Sequence, residues 1–301
     1  MITMRHQANQ TIRRIIQLAL TGLAVAAILN YQFFLDQYAL ATFQPPSAVA
    51  AIQARIELTD QARAIFYRAQ PRIDNKATFN SDCSTSKGEL ELGCFYRGRI
   101  YVLQIENTDL APEMDVVTAH ELLHAAWDRL GRSEQERLTT LLEQVYHGLN
   151  DPALNDRMAG YAKTEPGQEA NELHSILGTE QVRLPAELEQ HYSRYFKNRA
   201  VITAAQGAYE GVFTSRRQQL EGELAAIRSL KGQLAVVNQQ LDAYKAAGRI
   251  EQYNALVPRQ NNLVDTINSR IDAYRLGVDE YNQLSKSLDS QAITDTESTV
   301  Q

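Results

Sequence analysis

The chain has 301 residues, 44% of them hydrophobic and 22% charged, and a formal net charge of −6. This composition excludes global disorder, and without a concentrated Lys/Arg block after Arg14 it excludes a basic nucleic-acid-binding face. Two cysteines are too few for a disulfide scaffold or a four-cysteine zinc ribbon.

Residues 1–14 carry Arg5, Arg13 and Arg14 and precede an uncharged run from Ile15 to Leu35, just before Asp36. Those roughly 21 residues, at about 1.5 Å each, span about 31 Å as a helix, close to a hydrocarbon core. Basic residues on the N-terminal flank predict a single-pass plasma-membrane anchor over 15–35, with that flank in the cytoplasm and the body outside. The alternative is a cleaved signal peptide processed near Ala39-Leu40-Ala41. Both readings place the body outside the cytoplasm, where Cys83 and Cys94 are expected to be bridged.

Residues 36–47, with Gln44-Pro45-Pro46-Ser47, read as a linker, because consecutive prolines cannot continue a helix. The main domain is expected over 48–204. Its first helix is predicted over 48–69, where Ile52, Ile56, Ala62, Ile65 and Phe66 recur at helical spacing. Residues 71–92 are polar and turn-rich. Cys94 to Ile105 is dense in β-branched and aromatic residues around Arg97-Gly98-Arg99, and predicts a hairpin. Pro112 opens a helix over 113–130, stopped by Gly131. Further helices are expected over 133–148, over 169–177 and from Pro185 to about Lys197, with 148–167 as a loop.

From about residue 205 the pattern changes. Ile227, Leu230, Leu234, Val237, Leu241 and Tyr244 step by three and four, and Leu263 to Leu288 repeats the spacing beyond a turn at Ala246-Ala247-Gly248. This predicts an antiparallel coiled-coil hairpin over 205–290, kinked or interrupted at Pro258, and a frayed tail over 291–301. The fold class expected is therefore α+β, mostly α with a small β element.

The chemistry concentrates in His120-Glu121-Leu122-Leu123-His124. On a helix, positions four apart share a face, so both imidazoles can meet one tetrahedral ion. Glu121 is rotated away from that pair and suits a general base, while Leu122 and Leu123 face the packed side. The uncharged flanks Val117-Thr118-Ala119 and Ala125-Ala126 fit a ligand helix buried beneath a cleft.

These residues resemble the zincin metallopeptidases. Trp127 and Leu130 stand where metzincins carry a glycine and a third histidine, so the resemblance is to the gluzincins, which take a glutamate from a later helix. Asn171-Glu172-Leu173-His174-Ser175 is similar to that helix in thermolysin-like enzymes and implies Glu172 as third ligand, with Glu169 and His174 as alternatives. Ile176 stands where the family carries a histidine-orienting aspartate, and Asp128 is the candidate substitute. The family also pairs extended substrate with a strand above the motif helix, for which Tyr101 to Ile105 is the candidate. Tyr161 is comparable to the transition-state tyrosine of lethal-factor-like enzymes; Tyr192, Tyr195 and His191 are further donor candidates. The resemblance covers about residues 94–197 and implies Zn2+, a peptide or protein substrate, and endopeptidase activity. A non-catalytic adaptor, binding a protein partner through the hairpin, is the competing reading.

Overall fold

The computed structural model describes residues 17, 20–22, 25, 26, 30–83 and 92–288. Nine of the 21 residues of the expected anchor over 15–35, and the whole tail over 291–301, lie outside them. Among the described residues no helix is long and apolar enough to cross a membrane. The architecture is mostly helical, with one sheet of three short strands.

Helix α1, Tyr31–Thr42, runs through most of the expected linker, which shrinks to residues 43–46. No glycine or proline interrupts it until Phe43 turns extended ahead of Pro45-Pro46. The single helix expected over 48–69 is two, α2 Ser47–Arg55 and α3 Asp60–Arg68. Glu57 enters the left-handed region at φ 49°, Leu58 bridges to Phe196, and the Thr59 hydroxyl accepts from the Ala62 N–H at 3.1 Å to cap α3.

The segment read as turn-rich holds strand β1, Arg72–Asp74, and helix α4, Lys76–Asp82, capped by Asn75. Strands β2, Gly93–Tyr96, and β3, Arg99–Leu103, form the expected hairpin. Its turn residues Arg97 and Gly98 sit at φ 51° and 76°, the pair of positive angles that matches strand twist in a two-residue turn. The sheet order is β1-β3-β2, with β3 parallel to β1 and antiparallel to β2. Cys83 and Cys94 are bridged, tying the end of α4 to β2.

Helix α5, Pro112–Trp127, carries the His-Glu-x-x-His motif and is buried on nearly all sides, which is why its flanks are uncharged. Helices α6, Arg132–Leu149, and α7, Pro152–Thr164, follow. The stretch 148–167 is thus mainly helix rather than loop. Asp151 accepts from the N–H groups of Ala153 and Leu154 at 2.9 and 3.2 Å, and Pro152 occupies the first turn. Helix α8, Glu169–Glu180, extends past its expected end, while α9, Ala186–Tyr192, stops short of its own because 193–196 turn back to meet Leu58.

The core is one cluster with α5 at its centre, joining Ile52, Phe66, Ile100, Leu122, Leu123, Leu177, Tyr192 and Phe196. Long helices α10, Ala200–Ala246, and α11, Ile250–Leu288, form the hairpin, turning at Gly248 with φ 68°. Ile227, Val237, Leu241 and Ile267 are buried along the hairpin. Arg270–Glu223 at 2.7 Å and Gln260–Asn238 at 2.7 Å link the two arms. The return arm is not interrupted at Pro258; α11 continues across it, losing only the bond that a proline cannot donate. The root of α10 packs on α5 and α8, so the hairpin grows out of the globular body without a break.

At that root, Glu113 of α5 faces Glu180 and Glu210. Its Oε2 is buried without a hydrogen-bond partner among the described residues. Burial, then the charge of Glu180, pushes its pKa up to about 8. Above ordinary carboxylate pH the unfolded chain releases this proton, while the folded chain holds it to about pH 8, so stability falls as pH rises through that window. Glu113→Gln is expected to raise the free energy of unfolding by on the order of 2 kcal/mol at pH 8 and to change it little at pH 4, read from urea transitions at both pH values.

Candidate metal centre

Helix α5 offers His120 and His124 one turn apart, with ring centroids separated by 4.7 Å. Helix α8 crosses close beside it because residue 178 is glycine. A Cβ there would stand 2.5 Å from Leu123 Cδ1 and 2.6 Å from Tyr192 Cε1. This approach brings Glu172 to the histidine pair, with His120 Nε2 3.6 Å from Oε2 and His124 Nε2 3.5 Å from Oε1. One ligand atom from each of the three residues lies within 4.8 Å of the others, forming a possible metal-binding triad. Two ligand atoms each about 2.05 Å from a tetrahedral ion stand roughly 3.3 Å apart, so the set fits a small divalent cation.

The other ligand candidates lie elsewhere. Glu169 turns back to accept from the Gly167 N–H at 2.8 Å. His174 points from the opposite face of α8 into the core, where its Nε2 meets His191 Nε2 at 2.9 Å beneath Trp127 and Tyr192. That contact also withdraws His191 from the site. Tyr192 and Tyr195 are fully buried in the core, and the Tyr192 hydroxyl donates to the His174 carbonyl at 2.8 Å.

Asn171, rather than Asp128, orients His124. The Asn171 Nδ2 donates to Gln168 Oε1 at 3.3 Å, which leaves Oδ1 to accept from His124 Nδ1 at 3.0 Å. The Ser175 hydroxyl stands 3.4 Å from the same nitrogen. With its proton held on Nδ1, His124 presents the Nε2 lone pair to the triad. The signal lay in the sequence: Asn171 and Ser175 are four apart and flank Glu172, so the helix that delivers the ligand also delivers the groups that orient one of its partners.

Charge in the cluster is divided. Burial pushes His124 down to about 4, opposed by Glu172 and reinforced by His120. For His120 burial acts downward, but contact with Glu172 and the charge of Glu121 outweigh it and raise the pKa. Glu172 is pushed up by burial yet held below the usual carboxylate range by the two imidazoles and Arg157. His120 and Glu172 thus each favour the charged form of the other, while burial biases His124 toward the neutral imidazole.

The triad opens into a cleft of about 560 Å³ whose walls include Glu121, Tyr161, Asn171 and Gly93. Tyr161 arrives on α7, and burial together with the charge of Glu172 raises its pKa, so its hydroxyl keeps its proton at neutral pH. Gly93 lets β2 lie directly on α5, since a Cβ there would fall 2.4 Å from Val117 Cγ1 and 2.9 Å from Glu121 Oε1. The strand over the cleft is therefore β2, not the expected Tyr101–Ile105, which is central and bonded on both sides. The Leu103 N–H donates to the Leu92 carbonyl at 2.8 Å. By antiparallel alternation this turns the backbone groups of Gly93 and Phe95 away from β3, toward the open edge.

No known protein family, curated protein or solved structure matches the chain. The site thus stands on its own geometry. Asn171→Ala is expected to weaken binding of a divalent cation at the triad by about 10- to 100-fold, whereas Asp128→Ala should leave it within about threefold. Competition against a chelating dye measures both.

Proposed function

We propose that the chain is a membrane-anchored, extracytoplasmic zinc endopeptidase of gluzincin type. The observation that carries this reading is the convergence of His120, His124 and Glu172 beside Glu121 in an open cleft. Two imidazole nitrogens and one carboxylate oxygen are a donor set suited to zinc, which when bound lowers the pKa of water and polarises a carbonyl.

The remaining work falls to the chain's own residues. The backbone edge of β2 at Gly93 and Phe95 pairs with an extended peptide and lays its carbonyl across the triad. Glu121 takes the proton from the attacking water and passes it to the leaving amine, which departs as the C–N bond breaks. Tyr161 donates its hydroxyl proton as a hydrogen bond to the oxygen that gains charge during attack. His120 and His124 would hold the ion through neutral imidazoles, with Asn171 fixing the proton on His124 Nδ1.

Support for the location comes from the uncharged run over 15–35, its basic flank and the Cys83–Cys94 bridge, a pairing typical of oxidising compartments. The adaptor reading rests on the hairpin alone, whose seam residues Ile227, Val237, Leu241 and Ile267 are buried along the hairpin.

Glu121→Gln is expected to retain zinc and lose about 10²- to 10⁴-fold in cleavage. Tyr161→Phe should retain zinc and lose about 10²-fold in kcat with little change in KM. His120→Ala and Glu172→Ala should lose the metal and the activity together. Metal content and digestion of a peptide library by the full chain in detergent provide the readout. Undiminished cleavage by Glu121→Gln would reject the proposal.

A further inference from the structure

Helix α1 begins inside the uncharged run and continues beyond it, and its two faces differ. Gln32, Asp36 and Ala39 turn toward the body. Tyr31, Phe34 and Tyr38 turn outward at 53%, 57% and 68% exposure, while Phe33, 59% exposed, lies at the rim of the hollow between α1 and the body. Four exposed aromatics on one short helix exceed what a water-facing surface usually carries, and aromatic residues at the end of an apolar run are the mark of the bilayer interface.

This helix is locked to the catalytic body. Asp36, the first charge after the run, accepts from Arg129 Nη1 at 2.9 Å and lies 3.6 Å from Arg68 Nη1. Arg129 follows directly on the motif helix, so a single ion pair connects the membrane-proximal helix to the element that bears His124. Both arginines and the carboxylate are largely buried, which makes the joint a fixed mount rather than a swinging tether.

The cavities follow the same direction. The cleft over the triad shares Phe95, Gly98 and Asp128 with a smaller hollow of about 190 Å³, whose far wall is Gln32 of α1. A chain lying extended along β2 can therefore run from the triad past the Arg97-Gly98 turn to the inner face of α1, beside the aromatic surface.

We propose that the cleft is fed from the bilayer surface, and that its substrate is the extended juxtamembrane segment of another membrane-anchored protein. This rests on the peptidase reading above. A segment leaving its own membrane span arrives at the height of the cleft mouth and is confined to the same surface, which raises its effective concentration. A soluble folded protein has neither advantage.

The test reconstitutes the full zinc-loaded chain in phosphatidylcholine–phosphatidylglycerol vesicles. The probe is a polypeptide with one Leu/Ala membrane span and an unstructured mixed-composition tail. Cuts are expected within about ten residues of the span, an extended residue covering about 3.4 Å. Inserting ten further residues of the same composition next to the span should leave the cuts at the same height, so that they fall at new bonds. The tail alone in solution should be cut at least tenfold more slowly, and Asp36→Asn should spread the cut positions on the anchored probe while leaving cleavage of the soluble tail unchanged. Cuts that move with the tail sequence, or equal rates on anchored and soluble tails, overturn this inference and leave the peptidase reading standing. Failure to cut either probe overturns both.

Discussion

Everything at the centre depends on the contact between the motif helix and the helix that carries Glu172. Two histidines on one helical turn supply only part of a cation site, and no local rule brings a third ligand to them. Gly178 does so by omission. The missing side chain lets α8 settle against Leu123 and Tyr192, and the same approach aligns Glu172 with both imidazoles and Asn171 with the far side of His124. Close packing makes such an arrangement nearly all-or-none, because an added methyl group must displace a helix rather than find a gap.

That contact also explains how helix α8 serves two opposite environments. Its Glu172 face is polar, charged and open to the cleft. Its His174 face is sealed among aromatic rings, where His174 and His191 satisfy one nitrogen each against the other and leave both Nδ1 atoms without a hydrogen-bond partner among the described residues. Burial keeps both of those histidines neutral, with His191 lowered to about 4. In the cleft the neighbouring carboxylates reverse the outcome for His120 and raise its pKa. Burial acts in the same direction on these four histidines; nearby carboxylates outweigh it only at His120.

Around this pair of helices the other elements act as roof, mount and extension. Strand β2 covers the cleft and is held from both sides, by the disulfide to α4 and by its glycine contact with α5. Helix α1 is fixed to the body through Asp36. The first turns of the long hairpin pack on the motif helix and on α8, where Glu113 and Glu180 lie near Glu210, so its root and the motif helix share one packed interface. These attachments bring rigid elements to bear on a cleft whose working residues come from four separate parts of the chain.

The sequence by itself determined what is periodic or contiguous. His120, Glu121 and His124 share one helical turn, the hairpin seam repeats at three and four, the β-turn needs positive angles that Arg97-Gly98 can adopt, and the 15–35 run lacks charge; each follows from spacing along a single element. Glu172 came from likeness to a motif and carried two rivals. Only the tertiary structure decided between it, Glu169 and His174, because that choice depends on which face of α8 meets α5. The same holds for Asn171 over Asp128, for β2 over β3 as the open edge, and for the break at 56–59, where a helix-forming stretch gives way to pair with Phe196. Local preferences are set by neighbours a few residues away, whereas ligand choice, edge position and helix breaks are settled by contacts between residues tens to more than a hundred positions apart, which no single stretch of sequence encodes.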